Sequence, residues 1–520
     1  MNPNLPRTIA SSNPATGELL RELSCASDAD VYAAVERARS AQPAWHQLGI
    51  RHRIAILGEF QQRLLARKTE TAALISRESG KPIAEALTTE ILVVLDTARF
   101  LIANAYRLLR DQPVPHGNLA TKMKRGRLVR DPHGVIGIIS PWNYPFSIPA
   151  TESLAALVAG NAVLLKPSEL TPMVALELAS LLHQAGVPKD IFQVILGDGA
   201  TGAALIQSPI HKLVFTGSVV TGKRIAAAAA ERLLPLILEL GGKDPMLVLD
   251  DADVDVASSA AVWGAFVNAG QTCLSVERCY VHRSLHDNFV AACVEKTQQL
   301  KVGPGDDPAT DVGPLIHQLQ LKTVEDHLAD AQARGALVLT GGSRLPQLGA
   351  NFFMPTVISG VTHDMRLMRE ETFGPLLPIA PFDTDDQAVA LANDSNYGLA
   401  ASIWTRDKAR GERLARRIQV GTVMINDAIS CFGISEAPHG GVKSSGLGRT
   451  HGRFGLEEMV SIKYLDFDVI PSMKKVWWYG YGLRFRHQME GFLDLQFARS
   501  LRTRLRGAWS AVPVLWRKRR

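Results

Sequence analysis

The residues best suited to chemistry are Cys273 and Glu239. Cys273 ends the run NAGQTC at 268–273, and Glu239 begins the run ELGGK at 239–243, 34 residues upstream. A thiol that attacks a carbonyl and later releases an acyl group needs a nearby base and a site that stabilises negative charge. The glycines in both runs let the backbone turn sharply and approach a ligand closely. A lone cysteine is more often a buried core residue, but this setting favours a nucleophile.

A second motif, PWNYP at 141–145, follows a predicted strand that ends at Ser140. The Asn143 amide can donate a hydrogen bond to a developing oxyanion, and a backbone N–H can provide a second donor. Taken alone, the motif favours the alternative, a turn stabilised by asparagine.

A third motif, KPSE at 166–169, follows a predicted buried strand. It lies at the edge where a doubly wound sheet binds nucleotides, so Glu169 can accept hydrogen bonds from ribose hydroxyls and Lys166 can donate to the same ribose. The alternative is a solvated Lys/Glu pair in a loop, which the preceding strand argues against.

The run FTGSVVTGKR at 215–224 joins a predicted strand to a predicted helix. Residues 217–223 satisfy the G-x-x-x-x-G-K part of a phosphate-binding loop, but Arg224 stands where Ser or Thr would bind Mg²⁺. A P-loop NTPase is therefore excluded. The run also differs from the G-x-G-x-x-G dinucleotide fingerprint.

These segments, together with EETFGP at 370–375, resemble the signature segments of the aldehyde dehydrogenase superfamily over about residues 13–464. The resemblance implies that Cys273 is the nucleophile and that Glu239 activates a hydrolytic water. It also implies that Asn143 and the Cys273 amide stabilise the oxyanion. Lys166 and Glu169 are then expected at the adenosine ribose, Ser218 at the pyrophosphate, Glu371 at the nicotinamide ribose and Phe373 near the nicotinamide ring. The full implied set of cofactor-binding residues is Trp142, Lys166, Glu169, Gly217, Ser218, Glu371 and Phe373.

The implied activity is NAD(P)-dependent oxidation of an aldehyde to a carboxylic acid through a thiohemiacetal and a thioester on Cys273, without a metal. Glu169 would repel a 2′-phosphate, which favours NAD, with NADP as the alternative. Small residues at Ser147 and Thr151, and no Arg placed to bind an anion, favour a long or bulky apolar aldehyde. Thr450 and His439 depart from the family's second active-site Glu and its usual Phe.

Two further classes of function are weighed against this interpretation. A CoA-acylating relative would resolve the thioester with a thiol, and Glu239 argues against it because such enzymes can dispense with a water-activating base. A scaffolding protein that kept the fold without activity is disfavoured because the signature residues are retained together.

Composition agrees with an enzyme and separates a basic C-terminal segment. The 520 residues are 46% apolar and 21% charged, as in folded globular proteins. Five cysteines without close pairing favour a reducing compartment. We also expect no secretory signal and find no apolar run near 18 residues, so we expect a cytoplasmic protein. The segment 471–520 carries a net charge of +10 and the remaining chain −4, so nucleic-acid binding by the enzyme body is not indicated.

Strands and helices alternate along most of the chain, which predicts an α/β fold with two lobes built on parallel sheets. We expect helices over 28–48 and 51–79, with Asp28 as a helix N-cap. The resemblance adds a small β oligomerisation flap and a homodimer or homotetramer. The predicted domains are a nucleotide-binding domain (1–112 and 132–241), a catalytic domain (242–454), the flap (113–131 and 455–470) and a basic, aromatic-rich tail (471–520).

The tail contains an apolar residue at every fourth position from Leu493 to Leu505, with arginines beside them. Aromatic residues precede this run, and Trp516 with a basic run at 517–520 follows it. A basic amphipathic helix with interfacial aromatics is typical of a membrane-surface anchor, here at the inner face of a membrane. A helix packed on a neighbouring subunit is the equally weighted alternative.

Overall fold

The structure, a computed structural model, describes residues 7–472, 475 and 477–515. The expectations for Trp516 and the basic run 517–520 lie outside the described residues. No helix in the described part of the chain is both long enough and apolar enough to cross a bilayer.

The described strands, numbered in chain order, are β1 Thr8–Ser12, β2 Leu19–Ser24, β3 Gln112–Val114, β4 Lys124–Pro132, β5 Val135–Ile139, β6 Ala162–Lys166, β7 Phe192–Val194, β8 Lys212–Thr216, β9 Leu236–Glu239, β10 Asp244–Val248, β11 Val276–His282, β12 Leu337–Thr340, β13 Thr356–Ser359, β14 Leu376–Phe382, β15 Ala400–Trp404, β16 Thr422–Ile425, β17 Gly446–Leu447 and β18 Val460–Asp468.

The described α-helices are α1 Asp28–Gln47, α2 Ile50–Ala66, α3 Lys68–Ser79, α4 Ile83–Glu85, α5 Leu92–Leu109, α6 Ser147–Ala159, α7 Pro172–Gln184, α8 Gly199–Gln207, α9 Val219–Ala230, α10 Val254–Phe266, α11 Arg283–Gln298, α12 Gln318–Ala333, α13 Arg366–Arg369, α14 Asp385–Asn393, α15 Lys408–Ala415, α16 Gly452–Glu458, α17 Leu483–Phe497 and α18 Leu501–Leu515. A π-helical segment, Ala86–Ile91, joins α4 to α5, and 3₁₀ turns cover Leu119–Thr121, Val267–Gly270, Ser430–Gly433 and Lys443–Ser445.

The first large sheet has six strands in the order β17-β9-β8-β5-β6-β7. Its strands are parallel apart from the edge pair β17–β9. Every residue of β5 and β6 is buried, as expected for strands covered by helices on both faces. The chain adds β6 and β7 on one side of β5 and then β8 and β9 on the other. The carboxyl ends of β5 and β8 therefore flank the point where a doubly wound sheet binds ligands.

The second large sheet has seven strands in the order β12-β13-β14-β11-β10-β15-β16. Only the edge pair β12–β13 is antiparallel among its described pairings. An extended cluster of buried apolar side chains covers this sheet. The predicted α/β fold with two parallel-rich sheets is confirmed.

Both large sheets belong to one compact unit, formed by the described residues up to 108 together with 132–460. A second unit comprises residues 109–131 and the described residues from 461 onward. It contains most of a three-stranded sheet in the order β18-β4-β3, followed by the helices α17 and α18.

Two local predictions are wrong. The expected single helix over 51–79 divides at Arg67, whose φ of −107° and ψ of 18° interrupt the helical backbone between α2 and α3. The N-cap of α1 is Ser27, not Asp28. Ser27 accepts a hydrogen bond from the Asp30 amide, and Asp30 accepts one from the Ser27 amide, which forms a capping box.

Candidate active site

Cys273 lies between two cavities. The first, of about 280 Å³, is bordered by residues that follow β5 and β8 and by the loop 371–373. The second, of about 300 Å³, is lined by residues from several helices and loops, including Tyr144, Trp263 and Phe432. Cys273 lines both cavities, so a group bound in either one can reach the thiol.

The turn before Cys273 has an unusual backbone. Asn268 and Ala269 adopt positive φ values of 54° and 55°, which non-glycine residues seldom do. Hydrogen bonds hold this turn: the Asn268 amide donates to Oε2 of Glu85 at 2.9 Å, and its side chain donates to the Asn143 carbonyl at 2.9 Å. A side chain at Gly270 would collide with the Gly374 carbonyl. The surrounding chain therefore fixes the position of the thiol.

Asn143 is buried beside this turn and lines the first cavity with Cys273. Its Nδ2 donates to the Gln271 carbonyl at 3.0 Å, and its own carbonyl accepts from Nζ of Lys81 at 2.8 Å. A side-chain amide carries two N–H donors, so one remains for a group in the cavity. The geometry therefore allows Asn143 to act as a hydrogen-bond donor to a ligand.

Glu239 is the last residue of β9 and is buried. Neither carboxyl oxygen has a hydrogen-bond partner among the described residues. Burial raises the pKa of Glu239 well above its usual range, and the nearby Glu152 raises it further, while Arg449 opposes the shift. Burial therefore favours the protonated form of Glu239 in this arrangement.

The Cys273 thiol is also held in its neutral form. Burial raises its pKa well above the usual range, and the carboxyl groups of Asp244, Glu371 and Glu239 add to that shift. The surrounding protein supplies no opposing cation among the causes of this shift, so an approaching positively charged group would favour the thiolate.

Several predicted cofactor residues meet in the first cavity. Gly217 and Ser218 lie where β8 leads into α9, whose first free N–H groups make a favourable site for phosphate. The rings of Trp142 and Phe373 meet edge to face, 5.5 Å apart at 89°. Oε1 of Glu371 accepts a hydrogen bond from the Gly242 amide at 3.1 Å, and burial raises the Glu371 pKa to about 8.

Lys166 and Glu169 lie at the carboxyl end of β6, on the same sheet. Nζ of Lys166 is 3.3 Å from Oε2 of Glu169, and the Glu169 side chain is 46% exposed. Neither residue is part of the lining of the first cavity. Lys166 and Glu169 thus form an ion pair with each other. The other five predicted cofactor residues line the first cavity.

The second cavity is predominantly apolar. Within the part of the chain that the structure describes, no charged side chain lines it. Tyr144 contributes to its wall, and Oη of Tyr144 lies 2.7 Å from Oγ1 of Thr272. Ser147 and Thr151 do not line this cavity, whereas Ile148 of the same helix does; Thr151 lines a smaller cavity of about 20 Å³ that also includes Cys273 and Glu239. A 3.6-residue helical period separates neighbouring positions onto different faces.

Sequence reasoning missed two buried ion pairs that support the site. Lys81 pairs with Glu90 at 2.6 Å, and both side chains are fully buried. Lys243 pairs with Glu277, whose carboxylate also accepts the amide hydrogens of Thr372 and Phe373. Neither ion pair could be recognised in the sequence, because the partners are far apart in the chain or lie within loops. Among the described residues, no group of three or more acidic, His or Cys side chains could hold a metal ion.

Comparison with known proteins identifies relatives of this chain. The model of the aldehyde dehydrogenase family matches residues 2–465. The chain is 40% identical over 495 residues to a 4,4′-diapolycopene aldehyde oxidase from Methylomonas sp, covering 94% of this chain and 91% of that protein. It is 38% identical over 461 residues to a mitochondrial succinate-semialdehyde dehydrogenase from Oryza sativa subsp. japonica, covering 88% and 86%.

The fold is equally similar to that of solved relatives. The crystal structure of an NAD-dependent aldehyde dehydrogenase from Sinorhizobium meliloti is 36% identical, with a TM-score of 0.87 and coverage of 91% of this chain and 93% of that one. With a family match over most of its length and relatives above one-third identity, the chain belongs to the aldehyde dehydrogenase family.

Proposed function

We propose that this chain oxidises an aldehyde to a carboxylic acid, with Cys273 as the nucleophile and a nicotinamide dinucleotide as the hydride acceptor. The observation that carries the proposal is the position of Cys273 between two cavities of different character. One cavity contains aromatic, carboxyl and helix N-terminal groups, and the other is apolar. An aldehyde in the second cavity can thus meet the thiol while a cofactor approaches from the first.

The chemistry of the first cavity fits a dinucleotide. The N-terminus of α9 offers backbone N–H donors for phosphate. A Cβ at Gly217 would lie 2.6 Å from the Phe215 ring, so a residue larger than glycine would collide with that ring. Glu371 can accept a ribose hydroxyl, and the Trp142–Phe373 pair provides an aromatic wall. When bound, the nicotinamide supplies a hydride acceptor. We further propose that Lys166 and Glu169 hold the adenosine ribose and favour NAD over NADP.

The reaction then proceeds in two steps, formation of a thioester and its hydrolysis, in which different residues act. Sγ of Cys273 attacks the carbonyl carbon, and the Asn143 side chain and the Cys273 amide donate hydrogen bonds to the oxyanion. Loss of hydride leaves a thioester on Cys273. Glu239, once deprotonated, takes a proton from water, the hydroxide attacks the thioester, and the thiol is released with the acid. One aldehyde, one water and one oxidised dinucleotide yield one acid, one reduced dinucleotide and one proton.

The aldehyde class follows from the second cavity. A lining without charged side chains, with Tyr144, Trp263 and Phe432, disfavours a substrate that carries a carboxylate, because burying an unpaired charge is costly. We propose a long or bulky apolar aldehyde. Comparing kcat/KM for a long aliphatic aldehyde, an aromatic aldehyde and succinic semialdehyde tests this class. A higher kcat/KM for the semialdehyde would contradict it.

We also propose that the chain forms a homodimer or homotetramer. In the second unit, β18 is an edge strand of its sheet, with Ile462, Tyr464 and Phe467 exposed by 56%, 46% and 51%. An exposed edge strand can pair with the same strand of another chain. Sedimentation equilibrium gives the assembly, and a monomer at micromolar concentration would contradict the proposal.

Replacement of the nucleophile tests the proposed function directly. We expect Cys273→Ala to abolish NADH formation with every aldehyde while the protein remains folded by circular dichroism. Cys279→Ala, at a buried cysteine in β11, is the matched control and should retain activity. Activity in Cys273→Ala that equals the wild-type rate would overturn the assignment.

A further inference from the structure

The C-terminal hairpin, formed by α17 and α18, plays no part in the proposed chemistry. A three-residue turn joins the helices, and they pack where Gly491 faces Gly507: a Cβ at Gly491 would lie 3.0 Å from the Gly507 carbonyl. Phe492 and Ala511 are buried. The hairpin therefore has an interior of its own, and large side chains on its outside are exposed.

That outside is strongly apolar. Large apolar side chains are exposed by 41% to 87% on the hairpin and on the preceding segment 477–481. On α18, Leu501, Leu505 and Trp509 follow one another at four-residue spacing, so they lie on one face of the helix. A patch of this kind on a protein surface marks an interaction site. The exposed residues are Trp477, Trp478, Tyr479, Tyr481, Leu483, Leu493, Phe497, Leu501, Leu505 and Trp509.

Cationic side chains border this apolar face. Arg502 and Arg506 each follow one of its leucines in sequence, which places them on the flank of the same helix. Within the described part of the chain, no ion pair with a carboxylate is formed by Arg484, Arg499, Arg502, Arg504 or Arg506. Segment 471–520 contains only two acidic residues, Glu490 and Asp494, against twelve basic ones.

We propose that the C-terminal hairpin, with the segment 477–481, binds an anionic lipid surface. Tryptophan, tyrosine and leucine insert into the boundary between headgroups and acyl chains, while arginines beside them contact anionic headgroups. A second copy of the hairpin is a poorer occupant, because residues 483–515 carry six arginines against two acidic residues, a net charge of +4, and two such hairpins would repel. A binding site for nucleic acid would not require leucines on the same face. The inference is independent of the chemistry at Cys273.

Vesicle cosedimentation of the full chain tests the proposal. We expect the protein to pellet at low salt with vesicles of phosphatidylcholine that contain phosphatidylglycerol, and to remain in the supernatant with phosphatidylcholine alone. Binding should weaken at about 1 M NaCl, where the Debye length falls to about 3 Å. Failure to pellet with anionic vesicles at low salt, or equal binding to both vesicle types, would overturn the proposal.

Two pairs of variants separate the apolar and the cationic contributions. Leu505→Ser with Trp509→Ser should reduce binding at least tenfold, whereas Leu19→Ser with Leu337→Ser, at positions 58% and 60% exposed elsewhere, should not. Arg502→Gln with Arg506→Gln should weaken binding about 25-fold at low salt, at about fivefold per charge. Arg406→Gln with Arg416→Gln, whose side chains are 73% and 76% exposed, is the matched control for charge. Equal losses in control and test variants would contradict the proposal.

The same variants distinguish a contact between copies of the chain. Sedimentation velocity without lipid should give the same coefficient for the wild type and for Leu505→Ser with Trp509→Ser, and the rate with a water-soluble aldehyde should be unchanged. A smaller coefficient in that variant would show that the apolar face joins two copies, and the lipid proposal would then be wrong.

Discussion

Nε2 of His439 lies 3.9 Å from Oε2 of Glu239, and both side chains are buried. Burial lowers the His439 pKa to about 3 and raises that of Glu239. A neutral imidazole therefore lies beside a carboxyl group whose protonated form is favoured by burial. The ring of His451 lies 5.9 Å from that of His439. Glu239 has no hydrogen-bond partner among the described residues, and a histidine with so low a pKa is a poor acceptor for its proton, so His439 is a neutral polar neighbour of Glu239 and not a second base.

Glu239→Gln should separate the two halves of the reaction. We expect a single burst of NADH, equal to the concentration of sites, followed by steady turnover about 10²–10⁴-fold slower, because glutamine cannot take a proton from water. Stopped-flow absorbance measures both phases. Glu436→Gln, at a carboxyl group 58% exposed on the same unit, is the control and should behave as wild type. Undiminished steady turnover would assign the water-activating base to another residue.

His439→Phe should slow steady turnover several-fold and leave the burst unchanged, because a phenyl ring in place of a polar neighbour disfavours the Glu239 carboxylate further but spares the thiol. The pH dependence of kcat provides the second measurement. Since the Glu239 pKa is raised, the fraction of carboxylate grows as pH rises, so kcat should increase with pH through that raised value. In His439→Phe, steady turnover should stay slower than in the wild type over the whole pH range in which kcat rises. Identical profiles for the two proteins would rule out a role for His439.

Glu169→Ser should shift cofactor preference toward NADP. The Glu169 carboxylate lies beside Lys166 at the end of β6, and its charge would oppose a 2′-phosphate there. We expect kcat/KM with NADP to rise relative to kcat/KM with NAD. Glu177→Ser, at a carboxyl group in the helix α7, is the control and should leave this ratio unchanged. A wild-type preference for NADP would contradict the reasoning.

Lys81→Met should destabilise the protein by about 3–5 kcal/mol, because Glu90 would be left buried without its counter-charge. The double variant with Glu90→Gln should recover part of that loss. Lys322→Met, in an exposed pair with Asp326, should cost less than about 1 kcal/mol. Urea denaturation provides the comparison. Similar losses for Lys81→Met and Lys322→Met would show that the buried pair has no special role.

Glu152→Gln should stabilise the protein as pH rises. Burial raises the Glu152 pKa from 4.5 to about 8. Between these values the unfolded chain loses a proton that the folded protein keeps, so the wild type loses stability as pH increases across this window. Glutamine does not titrate. The difference in Tm between variant and wild type should therefore grow from pH 5 to pH 8, and a constant difference would refute the raised pKa.

Much of the site could be predicted from sequence because its parts lie in continuous runs. Cys273, Asn143 and Gly217 each belong to a short segment whose backbone must turn at a strand end, and such local demands leave a pattern of Gly, Pro and Asn in the sequence. The same reasoning predicts alternating strands and helices, and hence the parallel-rich sheets.

The tertiary structure alone decided which distant groups surround these segments. Glu152 and His439 come near Glu239, and Lys81 reaches the Asn143 carbonyl, through contacts between residues far apart in the chain. Such contacts leave no local pattern, because they depend on how helices and sheets pack. The same packing sets the raised and lowered pKa values, since burial by distant segments is their main physical cause.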